Sequence, residues 1–172
     1  MESGSDCGSS EGARMLEVVV FIGLQAAGKS TFYAQRFSQT HVLVSKDRLR
    51  NNRRPERRQQ RLITEALEAS RSVVVDNTNP SRLDRASIIA TARSFDAHIR
   101  GYFFASPLAE CLVRNAFRPS STRVPDVGLF STVKKLAPPS FSEGFDELWT
   151  VQTIPHFQFD IAPYPETPDE SR

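Results

Sequence analysis

Cysteine is nearly missing from this chain. Cys7 and Cys111 are the only two in 172 residues. One sits in a polar leader and the other in an expected helix, which excludes a disulfide scaffold and fits a reducing, cytoplasmic setting. Long apolar runs are missing as well. No stretch of about 18 apolar residues occurs, so no membrane-spanning helix is expected and no membrane partner. Residues 1–14 are rich in serine and glycine and lack the apolar stretch of a signal peptide; they read as a flexible leader, with Met15 as a second candidate start. The three histidines, His41, His98 and His156, lie far apart without cysteine or acid at ligand spacing, which argues against a zinc site. The single tryptophan, Trp149, falls in an expected strand and reads as core. Net charge is small, +2, but unevenly spread. Lys46–Arg61 carries eight basic residues against Asp47 and Glu56, a local +6 that leaves −4 for the rest. Such a run is either a solvated helix face or a surface for a polyanion. The length suits one domain with a full core, and no internal repeat is present.

What the chain does contain is the stretch Gly23-Leu24-Gln25-Ala26-Ala27-Gly28-Lys29-Ser30, a match to G-x-x-x-x-G-K-[ST]. The β-branched run Glu17–Ile22 before it reads as a buried strand, and Ser30–Phe37 after it has helical apolar spacing. Strand, glycine-rich loop and helix are the context that this motif requires. Gly23 and Gly28 allow a tight turn, so that the amides of Gln25, Ala26, Ala27 and Thr31 can face phosphate oxygens at a helix N-terminus. Lys29 is placed to reach the β- and γ-phosphates and the Ser30 hydroxyl to ligate Mg²⁺. The expected ligands are therefore a nucleoside triphosphate, ATP, and Mg²⁺.

Further strands are expected at His41–Ser45, Ser72–Asp76, Ala97–Phe104 and Leu148–Gln152, separated by helices. These are a short turn at Lys46–Asn52 and helices from Pro55 to about Ser70, from a cap at Asn79 to about Phe95, from Pro107 to Ala116, and from Val124 to about Leu136. Leu83, Ala86, Ile89, Ala90 and Phe95 are expected to face inward. Phe117–Arg123 reads as a mobile loop. The alternation predicts an α/β fold: three layers around a parallel sheet of about five strands, with a helical lid, over residues 15–153. Residues 154–172 are Pro- and acid-rich and read as an extended tail.

Ligands in such sheets gather outside the carboxyl ends of the strands. Asp47 follows strand two there, with Arg50 one helical turn later. It reads either as a proton acceptor for a hydroxyl, with Arg50 holding a neighbouring phosphate, or as an acid favoured by a helix N-terminus. Asp76 ends strand three, where an acid can engage Mg²⁺ through water; with Asn77 it is also ordinary turn chemistry. Arg114, Arg118 and Arg123 surround the mobile loop and are candidates to close on a transferring phosphoryl group.

The combination Gly23–Thr31, Ser45-Lys46-Asp47-Arg48-Leu49-Arg50, Val74-Val75-Asp76-Asn77-Thr78-Asn79-Pro80, Arg114-Asn115 with Arg118, and Val124-Pro125 resembles the 5′-kinase domain of polynucleotide kinases, within the zeta-toxin-like, AAA_33-type group of P-loop kinases. The resemblance spans about residues 17–152. It implies transfer of the ATP γ-phosphate to a 5′-hydroxyl of DNA or RNA. Asp47 would be the general base and Arg50 would hold the scissile-end phosphate. Lys29 and Ser30 would bind nucleotide and metal, with Arg118 and Arg114 on ATP phosphates and Asp76 and Asn77 on the acceptor side. The fused phosphatase motif Asp-x-Asp-Gly-Thr is absent, so no 3′-phosphatase is expected, and no obligate protein partner is evident. The competing readings are a kinase for a small molecule such as a sugar nucleotide, nucleoside or antibiotic, and a nucleotide-dependent binding module without transfer.

Overall fold

The structure, a computed structural model, describes residues 15–165; the expected leader at 1–14 lies outside the described residues. Strand β1 (Glu17–Gly23) takes the centre of a six-stranded sheet because Val18 to Ile22 are fully buried, apolar on both faces. It is flanked by β3 (Val73–Val75) and β4 (His98–Phe104), both parallel to it. The order is β2-β3-β1-β4-β5-β6, with β2 (Val42–Val44) at one edge and β5 (Glu147–Ile154) beside β4. Five strands run parallel, and β6 (Gln158–Pro163) pairs antiparallel with β5.

Two cores fill the two faces. On one, Ile63, Ala66 and Leu67 of α2 (Pro55–Glu68) and Ile88, Ile89 and Ala92 of α3 (Arg82–Ser94) pack on Val18, Val20 and Ile22. On the other, Phe32 of α1 (Lys29–Arg36), Cys111 of α4 (Leu108–Ala116) and Leu129 of α5 (Asp126–Lys135) pack on Val19, Phe21 and Phe104. Phe21, Phe32, Phe37, Tyr102 and Phe104 form edge-to-face contacts with ring centroids 5.3–6.1 Å apart, an arrangement favoured by the ring quadrupoles.

Two expectations are corrected. Asn79 is not the cap of α3: it is buried with φ 42°, and its amide donates to the Phe21 carbonyl at 2.8 Å. Ser81 caps instead, in a reciprocal box with Asp84. The helix therefore turns Arg85, Ile88, Ile89 and Ala92 inward, and Leu83 lies on the opposite face, 83% exposed, with Ala86 and Ala90 exposed too. The second correction concerns residues 154–165. Instead of an extended tail they close a hairpin whose Phe159 and Ile161 pack on the second core, while Gln158 and Asp160 alternate outward.

Candidate functional site

The first loop holds its shape through backbone geometry. Gly23 has φ 150°, and a Cβ there would come within 2.9 Å of the Phe104 Cβ; Gly28, at φ 93°, begins α1, and a Cβ there would meet the Thr153 hydroxyl at 2.9 Å. Ala26 also takes a left-handed φ of 60°. Lys29 is folded back and buried, its ammonium donating to the carbonyls of Gly23, at 3.1 Å, and Leu24. Burial lowers its pKa from 10.5 to about 8, with the Asp76 carboxylate pulling the other way. A buried ammonium resting on two carbonyls at the loop is a cation stored where an anion would sit.

Ser30 Oγ donates to Asp76 Oδ2 at 2.7 Å. Burial raises the Asp76 pKa, against the opposing effects of Lys29 and of the Ser30 hydrogen bond. Two hard oxygen donors side by side at the loop suit a small divalent cation that takes its remaining ligands from phosphate and water. Among the described residues no cluster of three His, Cys, Asp or Glu side chains forms a metal cage of its own.

Asp47 and Arg50 stand on the 3-10 turn Lys46–Leu49 and its C-cap, after β2. Both are exposed, and they meet at 3.5 Å. The turn is tied down from below: the Lys46 amide donates to Asn77 Oδ1 at 2.8 Å, and Asn77 Nδ2 donates to the buried Gln59 of α2 at 2.6 Å. Both polar atoms of Asn77 are thus engaged by the protein itself. Arg114 binds Glu110 at 2.9 Å through Nη2, while its Nη1 is buried without a hydrogen-bond partner among the described residues. Gln25 reaches α5 through Thr132 at 2.9 Å.

A single cleft of about 1530 Å³ collects these groups: Gln25–Thr31, Asp47, Arg50, Asp76, Asn77, Arg114, Arg118 and Arg123 all line it. Gly23 does not; it lies buried at the strand end beneath. Residues not singled out in the sequence line it as well, among them Lys135, Thr132 and Phe157. For Phe157 a signal was present: Phe159 and Ile161 alternate with Gln158 and Asp160 just beyond it, the period of a half-buried strand. Arg85 was also missed. It is fully buried on α3 and held bidentately by Glu143 at 2.7 and 2.8 Å, and it donates to the carbonyls of Asn79 and Pro80, which line the cleft.

The strand order, the loop and the cleft above the strand ends define the P-loop kinase fold. The family model described as AAA domain (AAA_33) matches residues 18–135, and the chain belongs to that family. A curated relative, the bifunctional polynucleotide phosphatase/kinase of Schizosaccharomyces pombe, is 30% identical over 133 residues, covering 75% of this chain and 32% of the relative. The chain thus spans about a third of that relative's length. Among solved structures, Kti12 of Chaetomium thermophilum in complex with ADP-AlF3 aligns with TM-score 0.62 at 13% identity, over 79% of this chain and 89% of that one. A sugar kinase from Janibacter sp. aligns with TM-score 0.61 at 12% identity, over 80% and 85%. Among the described residues no helix is long and apolar enough to cross a membrane.

Proposed function

We propose that this chain is an ATP-dependent phosphotransferase that moves the γ-phosphoryl group onto the 5′-hydroxyl end of a DNA or RNA strand. The observation that carries the reading is the cleft shared by the Gln25–Thr31 loop, the Ser30–Asp76 pair and Asp47. In this reading the loop amides and Lys29 hold the triphosphate, and Ser30 and Asp76 hold Mg²⁺, which neutralises phosphate charge when bound. Asp47 accepts the proton of the incoming hydroxyl. The 5′-oxygen of the acceptor forms the new bond to the γ-phosphorus, the bond between that phosphorus and the β–γ bridging oxygen breaks, and ADP departs. Arg50 holds the phosphate next to the acceptor end, and Arg118 and Arg114 meet the ATP phosphates from the lid. Support for a polyanionic acceptor comes from the segment after Asp47: Arg48, Arg53, Arg54 and Arg57 follow it in the chain, all exposed, and none forms an ion pair among the described residues. The named activity of the fission yeast relative points the same way.

The test is transfer of label from γ-labelled ATP, with Mg²⁺, to a 5′-OH oligonucleotide. Asp47→Asn should retain ATP binding and lose turnover by about 100-fold or more. Oligonucleotide affinity should fall steeply with salt, by about 0.7 in log–log slope for each phosphate neutralised on a single strand. ATP binding with no transfer to DNA or RNA, and no salt slope, would point instead to a small, weakly charged acceptor.

A further inference from the structure

Phe157 is a large apolar side chain held out into solvent. It is 57% exposed and lines the same cleft as the phosphate-binding loop. It occupies the last position of the three-residue loop 155–157, which joins the paired residues Ile154 and Gln158 of the β5–β6 hairpin. Its backbone is in the left-handed region, φ 52°, directly after His156 at φ 65°. Two consecutive non-glycine residues in that region are unfavourable, and such conformations persist only where the surroundings over-determine them.

The surroundings here are the phosphate-binding loop and the helix that follows it. The Thr153 hydroxyl donates to the Ala27 carbonyl at 2.9 Å. Phe159 lies against Gly28 and meets the Phe32 ring of α1 edge-on, 5.1 Å between centroids. Gln35 of α1 donates to the Phe157 carbonyl at 3.1 Å. The hairpin is therefore clamped to the flank of the loop, and the clamp holds the ring out rather than burying it.

Sheet order supplies the direction. The loop follows β1, Asp47 follows β2 on one side, and Phe157 follows β5 on the other. A triphosphate cradled over β1 with its terminal phosphorus toward Asp47 has its nucleoside directed toward β5. The two interstrand steps from β1 to β5 span about 10 Å. We infer that Phe157 is the platform on which the heteroaromatic base of the nucleoside triphosphate stacks, so that the C-terminal hairpin completes the nucleotide site. A flat ring with an open face beside the loop suits a base, which every nucleotide presents as a π-surface. The inference rests on the nucleotide reading of the loop given above.

The experiment measures equilibrium binding of ATP and of inorganic tripolyphosphate, both with Mg²⁺, to the full chain and to Phe157→Ala, Phe157→Leu and Phe157→Trp. Tripolyphosphate carries the phosphates and no base. Stacking predicts that the Ala and Leu variants bind ATP about tenfold or more weakly and tripolyphosphate as the parent does. Phe157→Trp should keep ATP affinity, and its added fluorescence, corrected for Trp149 with the parent protein, should change with ATP and not with tripolyphosphate. The inference is overturned if ATP affinity is unchanged in the Ala and Leu variants, or if both ligands weaken together. A parent protein that binds tripolyphosphate and ATP equally also overturns it while leaving the loop reading intact. A parent that binds neither defeats the loop reading itself, and the base platform with it. Because the ring is exposed, the variants should match the parent in circular dichroism and melting temperature; a Leu variant that melts with the parent and binds ATP as the parent does is decisive against stacking.

Discussion

Lys29 concentrates the electrostatics of the site in one side chain. Buried on two carbonyls, its ammonium has a pKa of about 8, below the ordinary 10.5. The unfolded chain therefore binds more protons than the folded one between those values. The folded state is penalised fully below about pH 8 and gains stability as pH rises toward 10.5. On the proposed reading, a bound triphosphate would replace the carbonyls with full negative charge and restore the proton affinity. Binding of Mg-ATP near pH 8.5 should thus take up a fraction of a proton, and the uptake should vanish toward pH 7, where Lys29 is already charged. Titration calorimetry in buffers of different ionisation enthalpy reads this directly. Lys29→Ala should abolish the uptake along with tight binding.

At the scale of elements, α3 is positioned by two polar devices rather than by its apolar stripe alone. Its N-terminus is held by the Ser81–Asp84 box, where the Ser81 hydroxyl donates to the carboxylate and accepts from the Asp84 amide at 3.2 Å. Ser81→Ala should cost about 1 kcal/mol in denaturant unfolding. Its middle is held by Arg85, which is fully buried and also donates to the carbonyls of Asn79, Pro80 and Ala137. Glu143, itself only 6% exposed, is the carboxylate that pairs with it among the described residues. Glu143→Ala leaves a buried guanidinium without its counter-ion and should cost about 3 kcal/mol or more. An effect on Glu143→Ala no larger than that of the exposed pair Arg61–Glu65 would show that Arg85 finds another route to charge compensation.

For the molecule as a whole, the two ends of the sheet do different work. The carboxyl ends of the strands carry the cleft. The other end carries a network in which Glu17 meets His41 at 2.9 Å and Arg100 at 3.0 Å, and Glu147 meets His98 and Arg100, each at 2.9 Å. Partial burial alone would raise Asp146 and Glu147, but hydrogen bonds outweigh it, from Arg93 and the Ile99 amide in one case and from Trp149, Arg100 and His98 in the other. Both carboxyls are held below their ordinary 3.8 and 4.5. Groups depressed in this way stabilise the fold above their unfolded values, and that stability is lost as pH falls through the folded ones. Unfolding free energy should therefore be level near neutrality and decline below about pH 4.5. Asp76 works in the opposite sense, since burial raises it. Glu147→Gln should flatten the decline; denaturant titrations at several pH values check this.

Much of this was legible in the chain. The fully apolar β1 run, the loop with its two glycines, and Asp47 and Asp76 at strand ends all follow from local chemistry, because phosphate binding needs backbone amides at a helix start and a parallel sheet needs strands buried on both faces. The class of fold, and the strand-end residues that meet in one cleft, were therefore readable one segment at a time. Other features were not, because they depend on which segments meet. Arg85 reads as a surface charge until Glu143, 58 residues away, is brought beside it. Asn77 reads as a turn residue until Lys46 and Gln59 occupy both ends of its amide. The C-terminal hairpin reads as a tail, since proline and acid content masks a short alternating strand whose apolar residues have no local partner; only Phe32 and Gly28, more than a hundred positions earlier, give Phe159 somewhere to pack. Motif chemistry is written in neighbouring residues and so is determined by sequence alone, whereas charge compensation and the far wall of the cleft arise from contacts between distant segments, which only the folded chain decides.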